Sequence, residues 1–248
     1  MIKKCEIYKN DIDISKEWDI IASNRTKCRI AEKDKSFTYI LLPKIEERVK
    51  ALAEKQQNLV VDIGCGCGEL SNKISKWCKQ VIGIDISRES ISIARKCANE
   101  NVEFIHATVE AYAEEHSEIA DICVLNMLLS NVYDCKKMCS DVKRLLKKKG
   151  RVLVTVPHPC YWPDYWKYNK EEWYDYKNQV CMEADFIISG NGNMGTATHI
   201  HRPIEMYMNT LIECGYRICN IEELFSEFSK GQGDYPYPRF LYIECETE

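Results

Sequence analysis

The sequence has no apolar run long enough to cross a bilayer, and its start, Met1-Ile2-Lys3-Lys4-Cys5-Glu6, turns charged too soon for a secretory leader. It also lacks a basic excess. Lys and Arg number 34 against 38 Asp and Glu, for a net charge of −4. The cations are scattered, so no field is available to hold a phosphate backbone, and nucleic acid is a disfavoured partner. Cysteine is abundant at fourteen, but the paired spacings of a metal-ligand set are missing. Cys65-x-Cys67 comes nearest, and no second pair follows it, so no metal site is expected. The thiols are read as reduced and the chain as cytoplasmic, without a membrane partner. Cys78, Cys97, Cys123 and Cys219 fall at positions expected to be buried. No pattern sets an oligomeric state.

With 248 residues, 45% of them apolar, the chain suits one α/β domain with insertions. Residues 1–57 read as an N-terminal helical cap, with one pattern around Trp18 to Ala22 and another carrying Leu41, Ile45, Val49 and Leu52 at helical spacing. From Leu59, strands and helices alternate. Strands are expected at Val60 to Ile63, Val81 to Asp85, Val102 to Ile105, Ala120 to Leu125 and Arg151 to Val156. The fifth is almost wholly apolar, as a central parallel strand must be. A helix bearing Met138, Val142, Leu145 and Leu146 is expected to end in Lys147-Lys148-Lys149-Gly150, cations and then glycine being helix-end signals. An aromatic-rich insertion follows, spanning 159–200, in which Ile187 to Asn193 reads as a polar loop. A helix from Pro203 to Gly215 and two last strands, Tyr216 to Ile221 and Arg239 to Cys245, complete the chain. The loop between those strands runs from Gly231 to Pro238. This order implies a doubly wound, mainly parallel sheet, whose ligands bind at the carboxyl ends of the strands.

The most informative stretch is Val60-Val61-Asp62-Ile63-Gly64-Cys65-Gly66-Cys67-Gly68. An apolar strand ends in glycines at every second position, which lets a ligand lie directly against the backbone at the start of the next helix. Glu69 stands where the third glycine of a dinucleotide fingerprint would fall. About 20 residues on, Asp85 closes the second strand, where a carboxylate can accept from both hydroxyls of a ribose. The alternative is an Asp that caps the helix beginning near Ser87.

The loop resembles motif I, D-x-G-x-G-x-G, of the class I S-adenosylmethionine (SAM) dependent methyltransferases. The resemblance runs from about Leu59 to the C-terminus. It implies a seven-stranded Rossmann-like sheet over residues 58–248, with the last strand antiparallel and inserted. It also implies SAM as cofactor, held by Asp62, Gly64, Cys65, Gly66, Asp85, Ile86, Ala107, Thr108, Asn126 and Met127. The acid that the family usually carries after the third strand is absent from His106-Ala107-Thr108-Val109, so the adenine amino group must meet a backbone carbonyl or Thr108. Asn126-Met127-Leu128-Leu129 is not the N-P-P-Y of methyltransferases acting on DNA bases. Val156-Pro157-His158-Pro159-Cys160 and His201-Arg202-Pro203 look like the HPC and HRP segments of a small-molecule subgroup. The lead-in Asp34 to Pro43, with Phe37 and Tyr39, either covers the pocket as in related enzymes or is a plain capping helix.

Methyl transfer from SAM asks the protein mainly to align the acceptor and exclude water. His158, directly after the central strand, is the candidate catalytic base, with His201 second. The bland alternative for His158 is a turn residue whose ring holds the Pro157–Pro159 kink. Arg202 would hold an anionic group of the acceptor, or cap the helix. Tyr161 and Trp162 would line the acceptor side, in a lid, a cage for a cationic amine or a satellite core. The expected activity is transfer to an N or O atom of a small-molecule acceptor. An RNA or protein methyltransferase, a non-catalytic SAM-binding protein and a nicotinamide-dependent reductase are the alternatives. Cys160 falls where RNA cytosine enzymes place a nucleophile, but the charge balance argues against that role.

Overall fold

The computed structural model describes residues 2–5, 9–30, 34–53, 58–187, 193–226 and 236–248, with residues 25–30 in backbone only. Seven strands form one sheet in the order β4-β3-β2-β5-β6-β10-β9. They are β2 (Leu59–Ile63), β3 (Gln80–Asp85), β4 (Val102–His106), β5 (Ala120–Asn126), β6 (Leu146–Pro157), β9 (Tyr216–Leu224) and β10 (Phe240–Thr247). Pairing is parallel from β4 through β6. Strand β10 is antiparallel to both its neighbours, β6 and β9, which is the expected inserted last strand.

The period of two along the strands divides the core between the two faces of the sheet. Val60 packs with Ile45, Val49, Leu70, Ile74, Ile91 and Ala94, from helices α2 (Leu42–Leu52), α3 (Glu69–Ile74) and α4 (Arg88–Lys96). Its neighbour Val61 packs with Ala113, Cys139, Val142 and Leu211, from α5 (Val109–Glu115), α6 (Cys135–Leu145) and α8 (Ile204–Glu213). Ser87, Thr108 and Asp134 supply the N-cap acceptors of α4, α5 and α6; α4 and α5 begin just past their strands' carboxyl ends, and α6 after an intervening turn at Leu129–Asn131.

The lysine run does not end a helix. Helix α6 stops at Leu145, and Leu146 to Gly150 begin β6, with Leu146 paired to Ala120. Lys149, not Gly150, takes the left-handed φ of 60°. Gly150 is required for another reason: a Cβ there would stand 2.8 Å from the Lys147 carbonyl oxygen. The burial expected of two cysteines also fails. Cys78 and Cys123 are buried, whereas Cys97 is exposed and Cys219 half-buried.

Before the sheet come β1 (Lys3–Lys4), α1 (Asp11–Ile30) and a π-helical turn, Phe37–Leu41, that runs straight into α2. The aromatic insertion contains a short α7 (Trp162–Tyr165) and a hairpin, β7 (Val180–Ile187) with β8 (Asn193–His201). The sequence reading did not anticipate this hairpin, and β1 adds to its edge as a third strand. The expected polar loop at Ile187 to Asn193 keeps only its two ends within the described residues, as the outer positions of the two strands. Of the Gly231 to Pro238 loop, residues 236–238 are described.

Two carboxylates dock α1 over the carboxyl end of the sheet. Glu17 accepts from the Thr198 backbone N–H (2.7 Å) and hydroxyl (3.1 Å) on β8. Asp19 accepts from Ser87 Oγ (2.6 Å) and the Glu89 N–H (3.0 Å) at the start of α4, where a negative charge suits the helix end. Ile21 packs on Met194 and Ala197 between them. Among the described residues no helix is long and apolar enough to cross a membrane.

Candidate active site

Strand order reverses between β3 and β5, on either side of β2, and a cavity of about 720 Å³ opens at the carboxyl ends of these strands. All ten residues assigned from sequence to the cofactor line it: Asp62, Gly64, Cys65, Gly66, Asp85, Ile86, Ala107, Thr108, Asn126 and Met127. The glycine loop wraps tightly, with the N–H groups of Gly64 and Cys65 both donating to the Ile84 carbonyl. Gly66 has φ +56°, and a Cβ added there would meet nothing within 4 Å. Its backbone therefore faces open space, the cradle a ligand needs to lie against the chain.

Asp85 does more than cap a helix. One carboxylate oxygen accepts from the Gly66 N–H at 2.8 Å and the other from the Ser87 N–H at 2.7 Å, tying two strand–helix turns together at the cavity wall. Buried Asp62 accepts from Ser71 Oγ at 2.6 Å, which anchors the glycine loop to α3. Burial pushes the Cys65 thiol well above its ordinary range, so it lines the site as a neutral group. Thr108 is committed to capping α5, accepting from the Ala111 N–H at 3.1 Å. Met127 takes φ +59°, unusual for a residue with a side chain. Its N–H is held by the Thr155 carbonyl (2.9 Å) and hydroxyl (3.1 Å), and that hydroxyl donates to Asn126 Oδ1 at 2.7 Å.

The acceptor-side residues are placed differently from expectation. Phe37 and Trp162 line the cavity, whereas Tyr39 is 43% exposed and Tyr161 stacks on Tyr237 at 4.7 Å, neither among the cavity residues. His158 lies outside the lining as well. Its Nε2 sits 3.0 Å from Glu223 Oε1 on β9, and its Nδ1 accepts from the Cys160 N–H at 3.3 Å. Burial lowers its pKa. One ring nitrogen thus bonds within the turn after β6, as the turn-holding alternative would have it, and the other meets a carboxylate on β9. His201 is buried with Nε2 3.1 Å from the Tyr176 carbonyl, again outside the lining.

Arg202 is 1% exposed and does not line this cavity. Its guanidinium donates to the carbonyls of Leu129 (2.7 Å), Val132 (2.6 Å) and Tyr133 (2.7 Å), and to Gln179 Oε1 (2.7 Å). It therefore pins the chain after β5 that forms one wall of the cavity. Cys160 is exposed, lies 3.4 Å from the Tyr176 hydroxyl and does not line the cavity.

Three contributors escaped the sequence reading. Trp18 lines the cavity with Ile14 and Ala22, at i, i+4 and i+8 on α1; that periodicity was available. Phe240 reaches the site because β10 pairs it with Pro157, a register set only by the inserted strand. His199 lines the cavity from β8, two residues before the His that the HRP segment drew attention to. Burial, with help from neighbouring His201 and Arg202, lowers its pKa to about 3.

Residues 54–206 match the family described as "Methyltransferase domain". The ubiquinone biosynthesis O-methyltransferase of Pectobacterium atrosepticum is 29% identical over 61% of this chain and 60% of its own length. The chain thus spans about three fifths of the length of that curated relative. Two solved structures share the fold. A Listeria monocytogenes structure titled as a SAM-dependent methyltransferase has a TM-score of 0.66 at 22% identity, over 82% of this chain and 96% of its own. The Burkholderia thailandensis 1,6-didemethyltoxoflavin-N1-methyltransferase, with 1,6-didemethyltoxoflavin and S-adenosylhomocysteine bound, has a TM-score of 0.62 at 12% identity, over 100% of this chain and 95% of its own. With strand order and switch-point cavity in agreement with the family match, this chain belongs to the methyltransferase-domain family.

Proposed function

We propose that this protein transfers a methyl group from SAM to an oxygen or nitrogen atom of a small-molecule acceptor. The observation that carries the reading is the continuity of the cavity. It runs from the glycine loop and Asp85 to an aromatic end formed by Trp162, Tyr165, Trp166 and Phe240. Its 720 Å³ lies within the range of pockets that enclose small ligands. The open cradle over Gly66 and the carboxylate of Asp85 suit a nucleoside cofactor, and SAM supplies an already activated methyl group on a sulfonium.

The protein's own contribution is binding, alignment and exclusion of water. Asp62, Gly66 and Asp85 hold the nucleoside side of the site. Helix α1 and the β7–β8 hairpin cover it, docked through Glu17 and Asp19. Met127 and Asn126, at the end of β5, stand between the two ends of the cavity. Oxygen as the acceptor atom is supported by the O-methyltransferase relative, and nitrogen by the Burkholderia N1-methyltransferase. The test is calorimetric titration with SAM and with a nicotinamide nucleotide. Micromolar SAM binding, weakened several-fold to a hundredfold by Asp85→Ala, supports the reading, the loss reflecting about 1–3 kcal/mol for hydrogen bonds to a charged acceptor. Preference for the nicotinamide nucleotide would overturn it.

A further inference from the structure

Three buried histidines surround the aromatic insertion, and their partners separate them. His158 is committed to Glu223 and the Cys160 N–H, and His201 to the Tyr176 carbonyl. His199 alone of the three lines the cavity, where its ring stands beside Trp166 and Tyr168. Its ring is 5.2 Å from Trp166, which is 5.2 Å from Trp162, which is 5.5 Å from Phe240. These rings run from β8 to the start of β10, where Phe240 pairs with Pro157. The wall also carries the buried, unbonded Trp162 indole N–H, a donor only, whereas the His199 imidazole can both donate and accept.

Resting on the methyltransferase reading, we infer that His199 is the acceptor-recognition residue, and that the acceptor is an uncharged, flat molecule carrying a hydroxyl or ring N–H that hydrogen-bonds to this imidazole. A neutral imidazole offers one donor and one acceptor, so it can read either group. Because burial, with neighbouring His201 and Arg202, holds its pKa at about 3, His199 stores no proton at neutral pH. It acts by orientation.

The rings beside His199 favour an uncharged acceptor: Trp162, Tyr165, Trp166 and Phe240 bring neither a carboxylate nor a cation, and the charged residues of the lining, among them Asp11, Asp34, Lys35 and Lys137, stand on other elements. The Arg239 guanidinium lies 4.5 Å over Tyr165, so the electron-rich face a cationic ligand would use already serves a protein cation. Trp162 is packed between Tyr165, Trp166 and Phe240, ring against ring, which suits a satellite core with an aromatic wall better than an open cage.

The test uses the full chain saturated with S-adenosylhomocysteine and equilibrium dialysis at pH 7 against four probes: naphthalene, 2-naphthol, 2-naphthoate and 2-naphthylmethylammonium. We expect 2-naphthol to bind about tenfold tighter than naphthalene, the scale of one buried neutral hydrogen bond, and tighter than either charged probe. His199→Phe should collapse the naphthol-to-naphthalene ratio to about twofold or less while leaving S-adenosylhomocysteine affinity unchanged, and His199→Gln should keep most of the ratio. An unchanged ratio in His199→Phe, a charged probe binding tightest, or no probe retained by the loaded protein overturns the inference. Failure to bind S-adenosylhomocysteine would instead overturn the methyltransferase reading on which it rests.

Discussion

Replacing Arg202 with Met tests whether this residue is a structural clamp or an acceptor-binding cation. Methionine keeps much of the length and apolar stem while removing the guanidinium. Four acceptors lose their donor: the carbonyls of Leu129, Val132 and Tyr133, and the Gln179 side chain. Hydrogen bonds from a charged donor are worth about 1.5–3 kcal/mol each, but these four share one group and are not additive. Tyr133 is 36% exposed, so its end of the loop can turn towards water. The net cost should be about 3–5 kcal/mol, the usual range for removing one partner of a buried charged set. For a chain of this length that corresponds to a Tm lowered by roughly 6–20 °C. SAM affinity should fall too, because Ser130, Asn131 and Val132 of the released segment line the cavity. Differential scanning calorimetry and SAM titration measure both effects. Arg202→Lys should recover only part of the Tm, since an ammonium cannot span four acceptors set in a planar fork. A variant that melts within 2 °C of the parent and binds SAM normally would refute the clamp and return Arg202 to the acceptor.

Other expectations follow from the same geometry. Gly66→Val should fold, since nothing lies within 4 Å of its Cβ, at a cost of about 1–3 kcal/mol for a left-handed branched residue; calorimetry should find SAM binding abolished. Between pH 7 and 5 the protein should lose about 2 kcal/mol through His199 alone. Its folded pKa of about 3 lies below the unfolded 6.5, so within that window the unfolded chain binds more protons and stability rises with pH. His158 and His201, also lowered, add to the slope, while the lowered carboxylates Glu46 and Glu183 act only below about pH 4.5. Urea unfolding at the two pH values should give a smaller difference for His199→Phe. Cys160→Ala should retain full turnover once an acceptor is in hand, because the thiol lies outside the cavity; loss of activity with cofactor binding intact would restore Cys160 as a nucleophile.

The central strands were legible because their apolar runs close on a recognisable end: Asp85 at the end of β3, the glycines after β2, Pro157 at the end of β6. The strand ends also located the cavity wall on the cofactor side. The hairpin was harder to see. Strand β7 alternates Val180, Met182 and Ala184 inward with more accessible Cys181, Glu183 and Asp185, but β8 is buried continuously from Ala197 to His201, so its pattern carries no period of two. His158 shows a different limit. Its place at the end of β6 is legible, yet its ring is held by Glu223, a residue of β9 on the far side of the inserted β10. Arg202 and His201 stand out as a motif, whereas their partners lie 23 to 73 residues away and form no local signal.

The most direct measurement is a crystal structure of the full chain with S-adenosylhomocysteine. The account predicts the adenosine ribose hydrogen-bonded to Asp85, the ligand lying over Gly66, and the sulfur turned towards the end of the cavity lined by Trp162, Trp166 and His199. A ligand bound elsewhere, or one whose sulfur points away from that aromatic end, would contradict it.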